Sequence, residues 1–143
     1  MNMHNPAPPA SPRRSFVIDP GALAPEGGTD PAFGTVTWRT LICAERTPSA
    51  GMVLGMAEFG PYGTLKPHRH SQAEFYLGIA GDGIVTIEGV AHRICQGTAV
   101  YVEGDAEHGV LAGPGGLSFA YGFAADRFSD VIYRFSPAVP EVD

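Results

Sequence analysis

Between Gly63 and Gly81 the sequence reads Gly-Thr-Leu-Lys-Pro-His68-Arg-His70-Ser-Gln-Ala-Glu74-Phe-Tyr76-Leu-Gly-Ile-Ala-Gly. Three of its residues can donate an electron pair to a cation. In extended backbone alternate side chains share a face, so His68 and His70 project together from one strand. Ser71, Gln72 and Ala73 suffice for a short loop, after which Glu74 opens an apolar run. Period two sets Glu74, Tyr76 and Gly78 on one side of that run and Phe75, Leu77 and Ile79 on the other. The side carrying a carboxylate and a phenol should meet the two imidazoles. A fourth donor, His108, follows the turn-like Gly104-Asp-Ala-Glu107 and precedes Val110-Leu111, at the mouth of another strand. Three imidazoles and a carboxylate hold a divalent transition metal and leave coordination positions open, as catalytic sites do. Such donors suit Fe, Ni, Mn and Zn alike, so the residues specify a class of ion rather than one element.

Tyr76 lies two residues beyond Glu74 on the same face. A free phenol titrates near pH ~10, and a neighbouring dication favours its deprotonated form, which makes Tyr76 a credible base. A metal-bound carboxylate with an acidified neighbouring C–H would be the matching substrate.

The elements that must position these groups are short strands. Nineteen glycines and thirteen prolines in 143 residues, with 44% apolar residues, point to an all-β chain rich in turns. Strand-like runs are expected at Thr35–Cys43, Gly51–Phe59, the His68 segment, Tyr76–Ala80, Ile84–Glu88, His92–Cys95, Thr98–Val102, Leu117–Phe123 and Val131–Phe135, about ten in all. Gly81-Asp-Gly83 and Glu88-Gly89 read as tight hairpins, and Gly60-Pro-Tyr62-Gly63 as the turn before the His68 strand. Ala124–Asp130 alone suggests a helical turn. Phe16–Ile18 could add a short edge strand. The organisation expected is a tail over residues 1–15, rich in Pro, Ala and Asn, and one barrel domain over residues 16–143.

The net charge of -6 and scattered basic residues argue against a nucleic-acid partner. No apolar run reaches the length of a bilayer span, and the start lacks the order of a signal peptide, so a cytoplasmic protein is expected. Cys43 and Cys95 read as thiols without chemistry. His4 reads as a tail residue, His92 as a surface or packing residue, and Trp38, the only tryptophan, as a core or barrel-mouth residue.

The spacing His68-x-His70-x3-Glu74-x6-Gly81, followed by Gly97-x5-Glu103-Gly104 and His108, resembles the two signatures of the cupin superfamily. Glu103 stands where cupins usually have proline, and no asparagine follows His108. The resemblance implies a single cupin barrel, a double-stranded β-helix of jelly-roll type. Between Thr35 and Phe135 the chain further resembles small bacterial cupins that cleave dimethylsulfoniopropionate. That likeness rests on Val36-Thr-Trp38-Arg-Thr-Leu-Ile, Leu54-Gly-Met-Ala-Glu58, His68-x-His70-Ser-x-Ala-Glu74-x-Tyr76, Gly104-Asp-Ala-Glu-His108 and Asp126-Arg-Phe-Ser-x-Val-x-Tyr133. It implies a divalent metal on His68, His70, Glu74 and His108, Tyr76 as base, and Tyr133 assisting. It also implies β-elimination of a small carboxylate to acrylate and dimethyl sulfide. The sulfonium would lie against the rings of Tyr121, Trp38 and Phe119. Tyr121 stands where tryptophan is expected and Ala120 is smaller than its counterpart, which alters the pocket. A cupin metal site also leaves open an Fe(II) dioxygenase or a non-catalytic small-molecule binder, and a homodimer is the expected assembly.

Overall fold

Two long strands bend through the whole molecule and divide it into two antiparallel sheets. The computed structural model describes residues 13–137. Its strands are β1 (Glu26–Gly27), β2 (Thr37–Ile42), β3 (Val53–Phe59), β4 (Thr64–Arg69), β5 (Glu74–Ile87), β6 (Val90–Cys95), β7 (Ala99–Val102), β8 (His108–Phe123) and β9 (Arg134–Phe135). Single 3-10 turns cover Pro20–Ala22 and Phe128–Asp130, and no α-helix occurs among the described residues. The first half of β5 pairs with the second half of β8, Tyr76 opposite Tyr121, and β7 and β3 flank that pair. The second half of β5 pairs with the first half of β8, Ile84 opposite Leu111, and β6 and β4 flank it. β1 and β2 extend the first sheet beyond β3, and β9 extends the second beyond β4.

The alternation expected along the chain is realised. β5 begins buried, exposed, buried, exposed, buried, with Glu74, Tyr76 and Gly78 inward. β3 alternates in the same way, burying Val53, Gly55, Ala57 and Phe59. Inward residues of both sheets close one core, in which Val85 and Ile94 have no exposed surface. Burial of such side chains is worth about 1.5–3 kcal/mol each, and this is what fixes strand register.

Three sequence expectations are corrected. Gly81-Asp-Gly83 is no hairpin: β5 runs through it, with a register shift against β8 between Gly81 and Gly83. The glycines allow the bend instead of a reversal, because Gly81 has φ 72° and a Cβ there would strike the Gly116 carbonyl of the crossing strand. Tyr76–Ala80 and Ile84–Glu88 are thus one strand, as Leu117–Phe123 is one with the segment that begins at His108, and the described residues form nine strands, β1 included. The last run is shorter than Val131–Phe135, since Val131 N–H is committed to the Phe128 carbonyl of the 3-10 turn. Phe16–Ile18 forms no strand. Glu88-Gly89 does form the two-residue hairpin, with φ of 46° and 79° as a type I′ turn requires. The expected tail falls mostly on residues 1–12, outside the described residues.

Candidate metal centre and substrate cavity

Three strand ends bring the four donors together. His68 lies on β4 directly opposite His108, the first residue of β8, so the two imidazoles share a face. His70 follows the end of β4, and Glu74 is the first residue of β5. His68, His70, Glu74 and His108 are all buried. The ligating nitrogens of the three histidines lie within 4.8 Å of one another, close enough to share one ion. Glu74 Oε1 approaches two of them, at 3.0 Å from His108 Nε2 and 3.3 Å from His70 Nε2.

The backbone sets the tautomers. Nδ1 of His68 faces the Lys66 carbonyl at 2.8 Å, that of His70 the Gln72 carbonyl at 2.9 Å, and that of His108 the Ala106 carbonyl at 2.9 Å. A carbonyl only accepts, so each Nδ1 carries the proton and each Nε2 presents a lone pair. His68 Nε2 and His70 Nε2 are buried with no hydrogen-bond partner. Orphaned buried acceptors are costly, and lone pairs turned towards an acidic oxygen need a positive charge between them. A divalent cation supplies it; without one, an extra proton on an imidazole must. The residues therefore fit a metal ion, with His68, His70 and His108 able to hold it and Glu74 beside them.

Burial pushes the Glu74 carboxyl up, but the His108 and His70 imidazoles beside it outweigh that and leave it below its ordinary range. Burial, reinforced by the positive charge of a protonated His108, lowers His68 to about 4. Burial and the nearby Glu74 charge hold Tyr76 well above its ordinary phenolic value, and the same two causes raise Tyr133. Burial raises Tyr121 as well. By themselves the protein groups thus keep all three phenols protonated.

These phenols surround the entrance to the imidazoles. The Tyr133 ring lies 5.0 Å from that of His68 and 5.4 Å from that of His70, and the Tyr76 ring 6.2 Å from that of His108. Tyr76 and Tyr121 sit opposite each other on β5 and β8, and both hydroxyls are buried with no partner. Gly55 gives Tyr121 its room, since a Cβ on β3 at that point would collide with the phenol. About 30 Å³ of the space between them is open to a water-sized molecule, and His68, Glu74, Tyr76, Tyr121 and Tyr133 contribute the polar lining. Trp38 and Phe119 line it too, so every substrate-side residue singled out in the sequence reaches this space. Phe119 lies at its base, stacked on Tyr76 at 4.1 Å. His92 is exposed on β6, opposite Val85 of β5.

Sequence reasoning passed over Phe33 and Phe128, which also line the cavity. Phe33 lies in an irregular stretch with no period to mark its direction. Phe128 stands inside the Asp126–Tyr133 motif, and its position there, two residues from Asp130, which closes the 3-10 turn on Arg127, was the available signal.

Comparison with known proteins agrees with this geometry. Residues 55–116 match the Cupin domain family. The chain is 54% identical over 125 residues to dimethylsulfoniopropionate lyase DddW of Ruegeria pomeroyi, covering 87% of this chain and 82% of that one. Among solved structures it is similar to the polyketide cyclase RemF of Streptomyces resistomycificus, with a TM-score of 0.74 at 20% identity, covering 88% of each chain. It is also similar to a predicted oxalate decarboxylase of Thermotoga maritima, with a TM-score of 0.68 at 18% identity, covering 77% of this chain and 99% of that one. These two likenesses concern the fold, whereas the DddW match is one of sequence over 125 residues. With its jelly-roll sheets and buried imidazoles, the chain belongs to the cupins and, among them, to the family of dimethylsulfoniopropionate lyase DddW.

Proposed function

We propose that this protein is a metal-dependent carbon–sulfur lyase that cleaves dimethylsulfoniopropionate to acrylate and dimethyl sulfide. The observation that carries the reading is the placement of two phenols, Tyr76 and Tyr133, beside one imidazole cluster in a single aromatic cavity, in a chain 54% identical to DddW. A divalent ion held by His68, His70, Glu74 and His108 would supply Lewis acidity for a substrate carboxylate and offset the burial that keeps Tyr76 protonated.

The chain's own residues account for the remaining steps. Tyr76, as phenolate, takes a proton from the carbon next to the substrate carboxylate. The electron pair of that C–H bond becomes the alkene bond, and the pair of the carbon–sulfur bond departs on sulfur. Zwitterionic substrate and phenolate thus become acrylate, neutral sulfide and phenol, with charge and atoms conserved. Tyr133, whose ring lies against His68 and His70, orients the acid, and the Tyr76 phenol gives up its proton to solvent once the products leave. Trp38, Tyr121 and Phe119 shape the apolar part of the cavity and exclude water from the carbanionic centre. Release of dimethyl sulfide by purified protein supplied with a divalent metal, and its loss on chelation, tests the assignment.

The outer face of the first sheet supports a homodimer. Phe75, Leu77 and Ile79 on β5 and Tyr101 on β7 are 45%, 44%, 39% and 71% exposed, and Ala120 and Gly122 of β8 lie beside them. An apolar patch of this kind on a folded protein marks a contact surface. A second copy is the occupant we assign to it. The two free thiols, Cys43 and Cys95, favour a reducing, cytoplasmic location, and no helix among the described residues is long and apolar enough to cross a membrane. We assign residues 16–143 to one barrel domain.

A further inference from the structure

The turn that delivers His108 is fastened from outside the cavity. Residues 103–107 join β7 to β8, and they carry the Ala106 carbonyl that fixes the His108 tautomer. Arg69 stands between His68 and His70 in sequence, but the period of the strand directs it to the outer face, where its side chain is 40% exposed. One nitrogen, Nη1, donates both to Glu88 Oε1 at 2.8 Å and to the Asp105 carbonyl at 2.9 Å. Glu88 Oε1 also accepts the Glu107 N–H at 2.6 Å, and the Glu88 N–H donates to the Glu107 carbonyl at 2.8 Å. The Asp105 N–H donates to the His70 carbonyl at 2.8 Å. The turn is thus tied to the segment bearing His68 and His70 and to the β5–β6 hairpin.

An ordinary surface ion pair explains this arrangement poorly. Arg93 with Asp82 is such a pair, at 3.7 Å with 71% of the arginine side chain exposed, and it touches no backbone of the site. Arg69 instead bonds one backbone carbonyl and a carboxylate that itself holds a backbone N–H. Its two partners, Glu88 and Asp105, have φ of 46° and 64°, and among the described residues only Tyr62 joins them as a non-glycine with positive φ. Backbone of this kind persists where its neighbours over-determine it. Arg134, opposite Arg69 across β4 and β9, pairs with the Asp105 carboxylate, so two guanidinium groups grip one residue of the turn.

We propose that Arg69, acting with Glu88, is a positioning residue of the metal centre, setting where His108 stands relative to His68 and His70. The assignment rests on the metal-dependent reading above and deepens it. It carries a sign that charge alone does not. A guanidinium near a cation site repels the cation, so charge alone makes neutralising Arg69 tighten metal binding. Positioning demands the opposite, because a ligand whose support is lost binds more weakly.

Co2+ is a suitable probe, since its visible absorption changes with coordination geometry. Metal-free protein would be titrated with Co2+ against a competing chelator, comparing the unaltered chain with Arg69→Met, Arg69→Lys, Glu88→Ala and, as a control, Arg93→Met. Thermal melting without metal checks that each variant is folded. Arg69→Met and Glu88→Ala should bind Co2+ about 10- to 100-fold more weakly, with a changed absorption spectrum. Arg69→Lys, whose ammonium can serve both acceptors from a shorter stem, should fall between, and Arg93→Met should match the unaltered chain. Affinity unchanged or tightened in folded Arg69→Met, unchanged in folded Glu88→Ala, or equally lowered in Arg93→Met would overturn the assignment, as would an unaltered chain that binds no Co2+. Protein that holds Co2+ in this Arg69-dependent way but releases no dimethyl sulfide with any divalent metal keeps the assignment and loses the lyase reading. Release of dimethyl sulfide with a Co2+ affinity indifferent to Arg69 does the reverse.

Discussion

His108 Nε2 lies 3.0 Å from Glu74 Oε1 while its Nδ1 is committed to the Ala106 carbonyl. One imidazole is thus held between an obligatory acceptor and a buried carboxylate, and the second contact is stable only with positive charge in it. A metal meets that requirement for all three histidines at once.

Metal content and stability should therefore move together. Stripping with a chelator is expected to lower the melting temperature, and adding back a divalent ion to restore it. His108→Ala should bind at least about 10-fold less metal, measured by elemental analysis after dialysis. A variant that keeps its full metal content would remove His108 from the ligand set.

The metal-free protein should lose stability on acidification. Burial holds His68 at about 4, below its ordinary value near 6.5, so between these limits the unfolded chain binds a proton that the folded one refuses. Stability then falls as pH drops from about 6.5 towards 4, by on the order of 3 kcal/mol from this group. Urea unfolding across that window should show the slope, and His68→Asn should flatten it.

Trp38 owes its place at the mouth to a glycine. Gly27 on β1 has φ 83°, and a Cβ there would run into the Trp38 ring. Gly27→Ala should displace the indole, shift its emission and raise KM more than it lowers kcat. An unchanged emission maximum would show that β1 does not position the ring.

The outer sheet face can be tested by charge. Leu77→Asp places a carboxylate in the exposed apolar patch without touching the cavity, whose residues lie on the opposite side of β5. Light scattering should then report a dimer for the unaltered protein and a monomer for the variant. A dimer that survives Leu77→Asp and Tyr101→Glu together would place the interface elsewhere.

Much of this was legible because period two leaves little freedom: once His68 and His70 share a face, register forces Glu74, Tyr76 and His108 to meet them. Gly81-Asp-Gly83 was misread since the same glycines that permit a hairpin also permit a bulge, and only the partner strand decides between them. Phe33 and Phe128 went unrecognised for a related reason. Their direction is set by long-range packing against Trp38 and Tyr133, not by any local pattern.

Acrylate release from dimethylsulfoniopropionate by metal-loaded protein, compared with Tyr76→Phe at equal metal content, tests the central claim most directly. The account predicts turnover by the unaltered protein and a loss of about 100-fold or more in kcat when the phenolic oxygen is removed. Undiminished acrylate release by Tyr76→Phe, or none from the unaltered metal-loaded protein, would contradict it.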